Sequence, residues 1–530
     1  MAAPSETSRY YITSPIYYVN DAPHIGHAYT TLACDVLARF MRLDGRRVKF
    51  LTGTDEHGQK VEKAAAAAGL APKEFTDRVS QNFRDLAAAM NFSNDDFIRT
   101  TEPRHIKSSQ AIWKAIAANK SPKGRDNIYL GKYDGWYAVR DEAFYDEKEL
   151  TTGPDGKKRA PSGAEVEWVE EPSYFFRLSD WQDWLLEYYE TVKPDFIGPN
   201  TRRNEVISFV RGGLNDLSIS RTTFKWGVPV PDAPGHVMYV WLDALTNYIT
   251  AVGYPDENTG DFRTFWPADL HMVGKDIVRF HTVYWPAFLK AAGLEPPRRV
   301  FAHGWWTNEG QKISKSLGNV IEPNALVQKY GLDPVRYFLL REVPFGQDGD
   351  FSHRAMVGRL NGDLANDLGN LAQRVLSFVQ KNGGAQVPAH GAFDPADEAM
   401  LAQARGTLGE VRNLLTATPN APEFHRALEA VWNVVTGANA YVDKQAPWSL
   451  RKTDPARMNT VLYTLAETIR CVALVLQPFM PQAMGKMLDQ LAVPADARDF
   501  DSLNAKAALT PGTPLPPPQG IFPRFVEEKA

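Results

Sequence analysis

Two stretches, Pro23-His24-Ile25-Gly26-His27 and Lys312-Ile313-Ser314-Lys315-Ser316, indicate the fold of this chain. The first follows an extended run, Tyr10-Tyr11-Ile12-Thr13, and opens a segment whose apolar residues recur at helical spacing. His24 and His27 therefore lie three apart on the first turn of a helix. The unpaired N–H groups and positive dipole end of such a turn stabilise a phosphate chain. Gly26 leaves room for a flat nucleotide base against the backbone.

The second stretch places two lysines, Lys312 and Lys315, in a loop between Gly310 and Gly318. The glycines let this loop move, so that its charges can follow a changing phosphate. Together the stretches indicate an ATP site for attack at the α-phosphate. Alone, each has an ordinary alternative. Two histidines at a helix start also suit a metal half-site or a capped helix with a buried ring, and a lysine–serine run is commonly a polar loop.

In this order and at this separation, the two stretches resemble the signatures of the class I aminoacyl-tRNA synthetases, and the residues around them narrow the resemblance to the methionyl enzymes. The resemblance implies an α/β fold: a Rossmann-like parallel-sheet catalytic domain with an inserted small α+β connective domain, followed by an α-helical anticodon-binding domain. It implies a methionine–tRNA ligase, which activates L-methionine with ATP and transfers it to the 3′-terminal adenosine of tRNA(Met). Two alternatives stay open: a small nucleotidyltransferase of the same superfamily, and a non-catalytic tRNA-binding relative.

Changes in the pattern of predicted strands and helices along the chain indicate the domain boundaries. An α/β pattern is interrupted by short aromatic strands and turns, resumes at Met238-Tyr239-Val240-Trp241, and gives way to amphipathic helices and then a proline-containing tail. The predicted parts are the first catalytic half (8–115), the inserted domain (116–228), the second catalytic half with the lysine loop (229–352), the helical domain (353–495) and the tail (496–530).

Composition agrees with this organisation. The chain has 530 residues, too many for one core, and its net charge of −4 argues against a non-specific nucleic-acid coat. It has two cysteines, Cys34 and Cys471, both in apolar helical patterns, which predicts reduced core thiols and a reducing compartment. We find no signal core and no run of eighteen apolar residues, so we expect a cytoplasmic protein without a membrane segment. A mitochondrial origin is the alternative, although Met1–Arg9 is short and arginine-poor.

The resemblance also assigns a methionine pocket. Its side-chain lining would be Ile16, Tyr18, Trp241, Ala244, Tyr248, Ile277 and His281. Asp55 would hold the α-ammonium, because it follows a predicted strand and faces the crevice at the carboxyl ends of the sheet. A polarizable thioether favours aromatic edges, and the Tyr18 hydroxyl and the His281 ring would offer donors to its sulfur. The alternative is that these aromatic residues are ordinary core.

For ATP, the resemblance assigns His24 and His27 to the phosphates and Lys312 and Lys315 to the developing pyrophosphate charge. Gly26 would lie against the nucleotide. Further along the chain, Asp276 and Gly274 would contact the ribose of ATP. Lys315 is also assigned to the ATP site. Mg²⁺ is expected to arrive with ATP.

For tRNA, the resemblance assigns Asn370, Arg374 and Trp448 to the CAU anticodon. Asn370 and Arg374 are four apart on one helix face, and Trp448 follows a helix-ending proline. Single-stranded RNA loops are bound by stacking on aromatic rings and by hydrogen bonds to splayed base edges. As alternatives, Trp448 could cover a hydrophobic core and Asn370 could bond within its own bundle.

The chain departs from its relatives in the inserted domain. Many relatives carry Cys-x-x-Cys zinc knuckles there, whereas residues 116–228 contain no cysteine or histidine, so we expect no structural zinc. The insertion is much smaller than the hydrolytic editing domains of the leucyl, isoleucyl and valyl enzymes, so we expect no separate editing site. The absence of an appended oligonucleotide-binding domain predicts a monomer.

Overall fold

The computed structural model describes residues 9–19, 22–141, 143–313 and 318–527. The chain divides into two compact units. The first comprises Met1–Pro23, Lys49–Ala88 and Asn94–Ala302, and the second comprises His24–Val48, Ala89–Ser93 and His303–Ala530. Neither unit is therefore a continuous stretch of chain.

The strands of the described residues, in chain order, are β1 (Arg9–Tyr18), β2 (Arg47–Asp55), β3 (Asp96–Arg99), β4 (Ile128–Ala138), β5 (Ala143–Tyr145), β6 (Thr151–Thr152), β7 (Lys158–Arg159), β8 (Glu167–Phe176), β9 (Ile197–Gly198), β10 (Leu217–Ser218), β11 (Ser220–Arg221), β12 (Val237–Met238), β13 (Leu270–Gly274), β14 (Val300–His303), β15 (Trp306–Asn308), β16 (Gln311–Lys312) and β17 (Gly349–Phe351).

The α-helices are α1 (Ile25–Leu43), α2 (Gln59–Ala67), α3 (Pro72–Ala89), α4 (Pro103–Ala118), α5 (Gln182–Glu187), α6 (Asn200–Arg211), α7 (Val240–Leu245), α8 (Asn247–Thr250), α9 (Gly260–Phe265), α10 (Trp285–Ala291), α11 (Pro323–Tyr330), α12 (Leu332–Arg341), α13 (His353–Arg359), α14 (Asn370–Asn382), α15 (Pro395–Thr416), α16 (Phe424–Gln445), α17 (Pro447–Thr453), α18 (Pro455–Leu476) and α19 (Pro481–Gln490).

The first unit is built on a six-stranded sheet with the strand order β3-β2-β1-β13-β14-β9. The pairs β1–β13, β2–β3 and β14–β9 are parallel. β1 is buried along nearly its whole length, which is typical of a parallel strand that is covered on both faces. The parallel sheet with helices confirms the fold class expected from the sequence.

Two strands are longer than the sequence predicted, and this changes where two site residues lie. The first runs on to Tyr18, so Ile16 and Tyr18 belong to β1 rather than to the segment after it. The second runs to Asp55, which is the last residue of β2. Because β1 and β13 are parallel, Tyr18 and Gly274 lie at the same edge of the sheet, where α/β proteins bind ligands.

A second, antiparallel sheet with the order β10-β8-β4-β5 lies in the range predicted as the insertion. β4 and β8 pair from Ile128 opposite Phe176 to Tyr137 opposite Glu167. Aromatic residues from the two strands contact each other, for example Trp136 and Trp168, whose ring centroids are 5.2 Å apart. Such cross-strand pairs stabilise a small sheet. The same range also contributes β9 to the parallel sheet, and the insertion boundaries at 116 and 228 stay a prediction.

The second unit contains α13 to α19, in the region where the sequence predicted consecutive helices, and this part of the fold class is confirmed. Within the described residues, α18 is the one helix long and apolar enough to cross a membrane. Its most apolar window is 94% buried inside the protein, which is typical of a core helix. Glu467 and Arg470 of this helix are buried as an ion pair at 2.8 Å.

Arg336 of α12 fixes α1 within the second unit. Its Nη2 donates to the carboxylate of Asp35 in α1 at 2.7 Å and to the Pro478 carbonyl at 2.9 Å. Its Nη1 donates to the Met90 carbonyl at 3.0 Å. Both charged groups are fully buried, and removing one partner of such a pair costs about 3–5 kcal/mol. The middle of α1 is thus firmly anchored.

Candidate active site

The two histidines at the start of α1 cap their own helix. His24 is the N-cap residue, and its Nδ1 accepts from the backbone N–H of Gly26 at 3.1 Å. In return the backbone N–H of His24 donates to Nδ1 of His27 at 3.0 Å. This is a capping box in which histidine rings replace the usual hydroxyl and carboxylate. The helix start and face predicted from the sequence are therefore present.

These hydrogen bonds define where the ring protons sit. Because Nδ1 of each ring accepts a backbone N–H, the proton of each neutral imidazole is on Nε2. Burial and the neighbouring His24 lower the pKa of His27 well below its ordinary value. The rings are 3.9 Å apart between centroids. The Nε2–H group of a neutral imidazole is a suitable donor to phosphate oxygens.

Of the two predicted lysines, Lys312 is described. It lies exposed in β16, which pairs antiparallel with β15 through Thr307, so the predicted loop begins with a short strand. Its carbonyl accepts from the side chain of Asn319 at 3.0 Å. Lys315 lies outside the described residues.

In the first unit, His281 joins two other predicted pocket residues, Tyr248 and Ile277. Its Nδ1–H donates to the Ile277 carbonyl one turn earlier, at 3.0 Å. Its Nε2 therefore accepts, and the Tyr248 hydroxyl donates to it at 2.7 Å. Burial lowers the pKa of His281 to about 4, so the ring is neutral at physiological pH. Both ring nitrogens of His281 are used within the protein.

Aromatic rings surround this hydrogen bond. Tyr248 stacks on His271 with centroids 4.1 Å apart, and His271 in turn bonds to Thr13 of β1 at 2.8 Å. Trp241 lies nearly parallel to Phe280, 3.7 Å between centroids, and is nearly perpendicular to His281, 6.2 Å between centroids. The structure thus brings Trp241, Tyr248, Ile277 and His281 together, and the sequence analysis did not select His271 or Phe280.

The other predicted residues of the first unit lie at strand ends. Ile16 is partly buried and packs against the main core. The Tyr18 hydroxyl donates to the His57 carbonyl at 2.8 Å rather than being left for a ligand sulfur. Asp55 is buried at the end of β2, and its carbonyl accepts from the backbone N–H of Val19 at 3.1 Å. This bond holds the ends of β1 and β2 together.

Ala244 and the two residues assigned to the ribose complete the predicted set in this unit. Ala244 is buried in α7. Gly274 is the buried last residue of β13, and Asp276 is exposed in the helical turn that follows it. Asp276 therefore lies just beyond the carboxyl end of β13.

A buried group that the sequence analysis missed lies beside these residues. Asp243 of α7 accepts hydrogen bonds from Nδ1 of His57 and Nε2 of His105, each at 2.7 Å. His57 lies two residues after Asp55, and Asp243 lies between Trp241 and Ala244, so both are next to residues that the sequence assigned to the pocket. His105 carries no comparable signal.

No group of three or more His, Cys, Asp or Glu side chains that could hold a metal ion occurs in residues 9–19, 22–141, 143–313 and 318–527.

The residues predicted for the anticodon lie close together in the second unit. Asn370 and Arg374 are on the first turns of α14, and Trp448 is in α17, with 46% of its surface exposed. The Arg374 guanidinium lies 5.7 Å from the Trp448 ring and pairs with Asp443 at 2.7 Å. An exposed indole beside a guanidinium is suited to stacking an unpaired base.

Residue 446 sets the direction of α17. Ala446 adopts a left-handed conformation, with φ 43° and ψ 63°, between the last residue of α16 and Pro447. Its carbonyl accepts from the backbone N–H of Ser449 at 2.9 Å, which starts α17. The chain therefore turns sharply just before Trp448.

The chain matches known families along almost its whole length. The family described as tRNA synthetases class I (M) matches residues 10–376. The family described as the anticodon binding domain of methionyl tRNA ligase matches residues 387–530.

Individual relatives are similar from end to end. The methionine–tRNA ligase of Mesorhizobium japonicum is 59% identical over 520 residues, 98% of this chain and 98% of that protein. That of Rickettsia bellii is 56% identical over 527 residues, 98% and 99% of the two chains. The solved structure of Mycobacterium tuberculosis methionyl-tRNA synthetase in complex with methionyl-adenylate has a TM-score of 0.93 and 53% identity, with 98% of this chain and 100% of that chain covered.

Proposed function

The chain belongs to the methionyl-tRNA synthetases, the class I methionine–tRNA ligases, and we propose that it activates L-methionine with ATP to methionyl-adenylate and transfers the methionyl group to the 3′-terminal adenosine of tRNA(Met). The observation that carries this proposal is the correspondence, over 98% of the chain, with a synthetase solved in complex with methionyl-adenylate. That correspondence includes both the catalytic and the helical anticodon-binding parts.

In the first step the methionine carboxylate attacks the α-phosphorus of ATP, and pyrophosphate leaves. Chemistry of this kind depends on positioning and charge neutralisation rather than on a covalent nucleophile. We assign the phosphate contacts to His24 and His27, with Gly26 against the nucleotide. The support is the capping geometry, which puts a proton on Nε2 of both rings. Lys312 and Lys315 would neutralise the charge of the departing pyrophosphate.

We assign methionine binding to the aromatic group of the first unit. Tyr248, Trp241 and His281 lie against one another and would form the aromatic wall of a pocket suited to a thioether. The remaining apolar lining would come from Ile16, Ala244 and Ile277. Tyr18 would cover the pocket with its aromatic ring, because its hydroxyl is already bonded to the His57 carbonyl. Asp55 would pair with the α-ammonium, and Gly274 with Asp276 would meet the ribose.

In the second step the 2′-hydroxyl of the terminal adenosine attacks the activated carbonyl, and AMP leaves. Selection of the tRNA would rest on Asn370, Arg374 and Trp448, which read the CAU anticodon. The support is the exposure of Trp448 next to the Arg374 guanidinium. Arg374 would exchange its ion pair with Asp443 for contacts to the RNA.

ATP–pyrophosphate exchange with each of the twenty amino acids tests the first step directly. Among the twenty amino acids, we expect only methionine to support exchange. When tRNA is added, we expect the enzyme to charge tRNA(Met). Exchange that is independent of any amino acid would support a nucleotidyltransferase instead. Binding of tRNA without exchange would support a non-catalytic relative.

We further propose a cytoplasmic monomer without structural zinc or a membrane segment. The support for a reducing compartment is that Cys34 and Cys471 are both free and buried. Sedimentation of the purified protein at micromolar concentration tests the oligomeric state.

A further inference from the structure

Asp243 is a fully buried carboxylate held between two imidazoles, His57 and His105, at 2.7 Å each. A carboxylate only accepts hydrogen bonds, so the bonded nitrogens, Nδ1 of His57 and Nε2 of His105, both carry protons. Burial would raise the pKa of Asp243, but the two imidazoles outweigh it and hold that pKa at about 2. Asp243 is therefore ionised throughout the physiological range.

This group joins three segments of the first unit. His57 follows the end of β2 by two residues, and its carbonyl accepts from the Tyr18 hydroxyl at the end of β1. Asp243 lies in α7, between Trp241 and Ala244. The third segment is α4, which carries His105 and is tied to α8 through Thr250 at 3.3 Å.

Two of these segments, the end of β2 and α7, carry or adjoin residues that we assign to methionine binding. Asp55 and Tyr18 are on one side of the His57–Asp243 bond, and Trp241 and Ala244 are on the other. A displacement of α7 relative to the end of β2 would change the distance between the ammonium-binding carboxylate and the side-chain pocket. Asp243 connects these two segments directly, through its hydrogen bond from Nδ1 of His57.

We propose that Asp243 is a positioning residue for methionine recognition, which sets α7 against the end of β2 through His57 and is itself oriented by His105. This inference rests on the proposed function, because it concerns the same pocket. It adds a residue that does not touch the substrate but controls the spacing of those that do.

The test is ATP–pyrophosphate exchange with Asp243→Asn. An asparagine presents an N–H₂ group to one of two rings that already point an N–H at it, so one bond is lost. We expect KM for methionine to rise by about tenfold or more while KM for ATP stays within about twofold. A merely structural role would lower the amount of active enzyme without separating the two KM values.

His105 supplies a second, independent pair of variants. Glutamine can place an amide N–H near the position of Nε2, so His105→Gln should keep KM for methionine within about threefold, whereas His105→Leu should raise it about as much as Asp243→Asn does. Asp180→Asn is the matched control: Asp180 is an equally buried carboxylate of the same unit, bonded to Ser121 and Arg125, neither of which belongs to the pocket.

These experiments distinguish failure of the positioning role from failure of the proposed function. If the unmodified enzyme shows no methionine-dependent exchange, the proposed function is wrong. If it does, and both Asp243→Asn and His105→Leu leave KM for methionine unchanged, or raise the two KM values equally, the positioning role is overturned. A control that shifts KM for methionine as much as Asp243→Asn would overturn it as well.

Discussion

The hydroxyl of Tyr248 donates to Nε2 of His281 across 2.7 Å, and this bond fixes the tautomer of a histidine of the proposed methionine pocket. The other nitrogen, Nδ1, donates to the Ile277 carbonyl, so His281 has neither a spare proton nor a spare acceptor in its ring plane. The pocket wall is thus a pre-organised, uncharged surface. Such a wall favours an apolar side chain with a polarizable sulfur over a charged one.

Tyr248→Phe should weaken methionine binding. It leaves the buried Nε2 of His281 without its donor, and an unsatisfied buried acceptor costs about 1–3 kcal/mol. That cost lowers the stability of the enzyme with or without methionine, and the substitution also leaves the His281 ring free to turn. Because fixing one side chain on binding costs about 0.5–1.5 kcal/mol, we expect KM for methionine in pyrophosphate exchange to rise by roughly 2- to 10-fold, at about 1.4 kcal/mol per decade. Tyr463→Phe is a suitable control, because its buried hydroxyl bonds to the Leu509 carbonyl in the other unit. An unchanged KM in Tyr248→Phe would contradict the role of this bond.

The low pKa of His281 makes stability depend on pH. An unfolded histidine titrates near 6.5, whereas His281 titrates at about 4 in the folded state, so the unfolded chain binds a proton more readily. Its contribution is fully present above pH 6.5 and is lost progressively as the pH falls to 4. The difference amounts to about 3 kcal/mol, at 1.36 kcal/mol per unit. Melting temperature measured between pH 7 and pH 4 should fall less steeply in His281→Gln, which keeps an acceptor for Tyr248 but cannot titrate.

His27→Asn should separate helix capping from phosphate binding. The asparagine oxygen can replace Nδ1 as acceptor of the His24 N–H, while the Nε2–H donor is lost. Removing one preorganised donor lowers a rate by about 10²–10³-fold, so adenylate formation in a single turnover should slow by that factor while methionine binding is kept. His27→Gln is the matched control, because a glutamine at this capping position can accept the His24 N–H through Oε1 and still offer an N–H donor near Nε2, so it should form adenylate faster than His27→Asn. If the asparagine variant forms adenylate at the normal rate, His27 does not contact the phosphates.

The purified protein should contain no stoichiometric zinc. Residues 116–228 have no cysteine or histidine, and their sheet is held by paired aromatic residues such as Tyr129 and Phe175, 5.5 Å apart. Treatment with a chelator should therefore leave the melting temperature unchanged, unlike in a domain that folds around its metal. Elemental analysis that finds one zinc per chain, lost together with structure in this region, would refute the expectation.

Trp448→Ala should impair charging of tRNA and spare amino-acid activation. Loss of one stacking platform costs about 1–3 kcal/mol per base, which predicts aminoacylation reduced by roughly 10- to 100-fold. Pyrophosphate exchange needs no RNA and should be unaffected. Trp168→Ala is the matched control, since that indole is 49% exposed against 46% for Trp448 but lies on the antiparallel sheet of the first unit. Equal damage to exchange and charging in Trp448→Ala would show that Trp448 is not an anticodon reader.

The sequence predicted local features well because they depend on neighbouring residues. The start of α1 at Ile25 was predictable from the helical spacing that follows it, and the position of His24 at the N-cap follows directly. Strand ends were less predictable: β1 continues through Pro15 to Tyr18, and the backbone N–H of the next residue, Val19, bonds to Asp55 of β2, a distant contact that the local pattern does not indicate.

By itself, then, the sequence determined the class of fold, the family and the order of the chemical groups along the chain, since helical periodicity and short motifs are encoded over a few residues. Only the tertiary structure decided which distant groups meet. His57, His105 and Asp243 form one buried group although 138 residues separate His105 from Asp243. The tautomer of His281 was decided at the same level, because its Nε2 accepts from the hydroxyl of Tyr248, which belongs to a different helix.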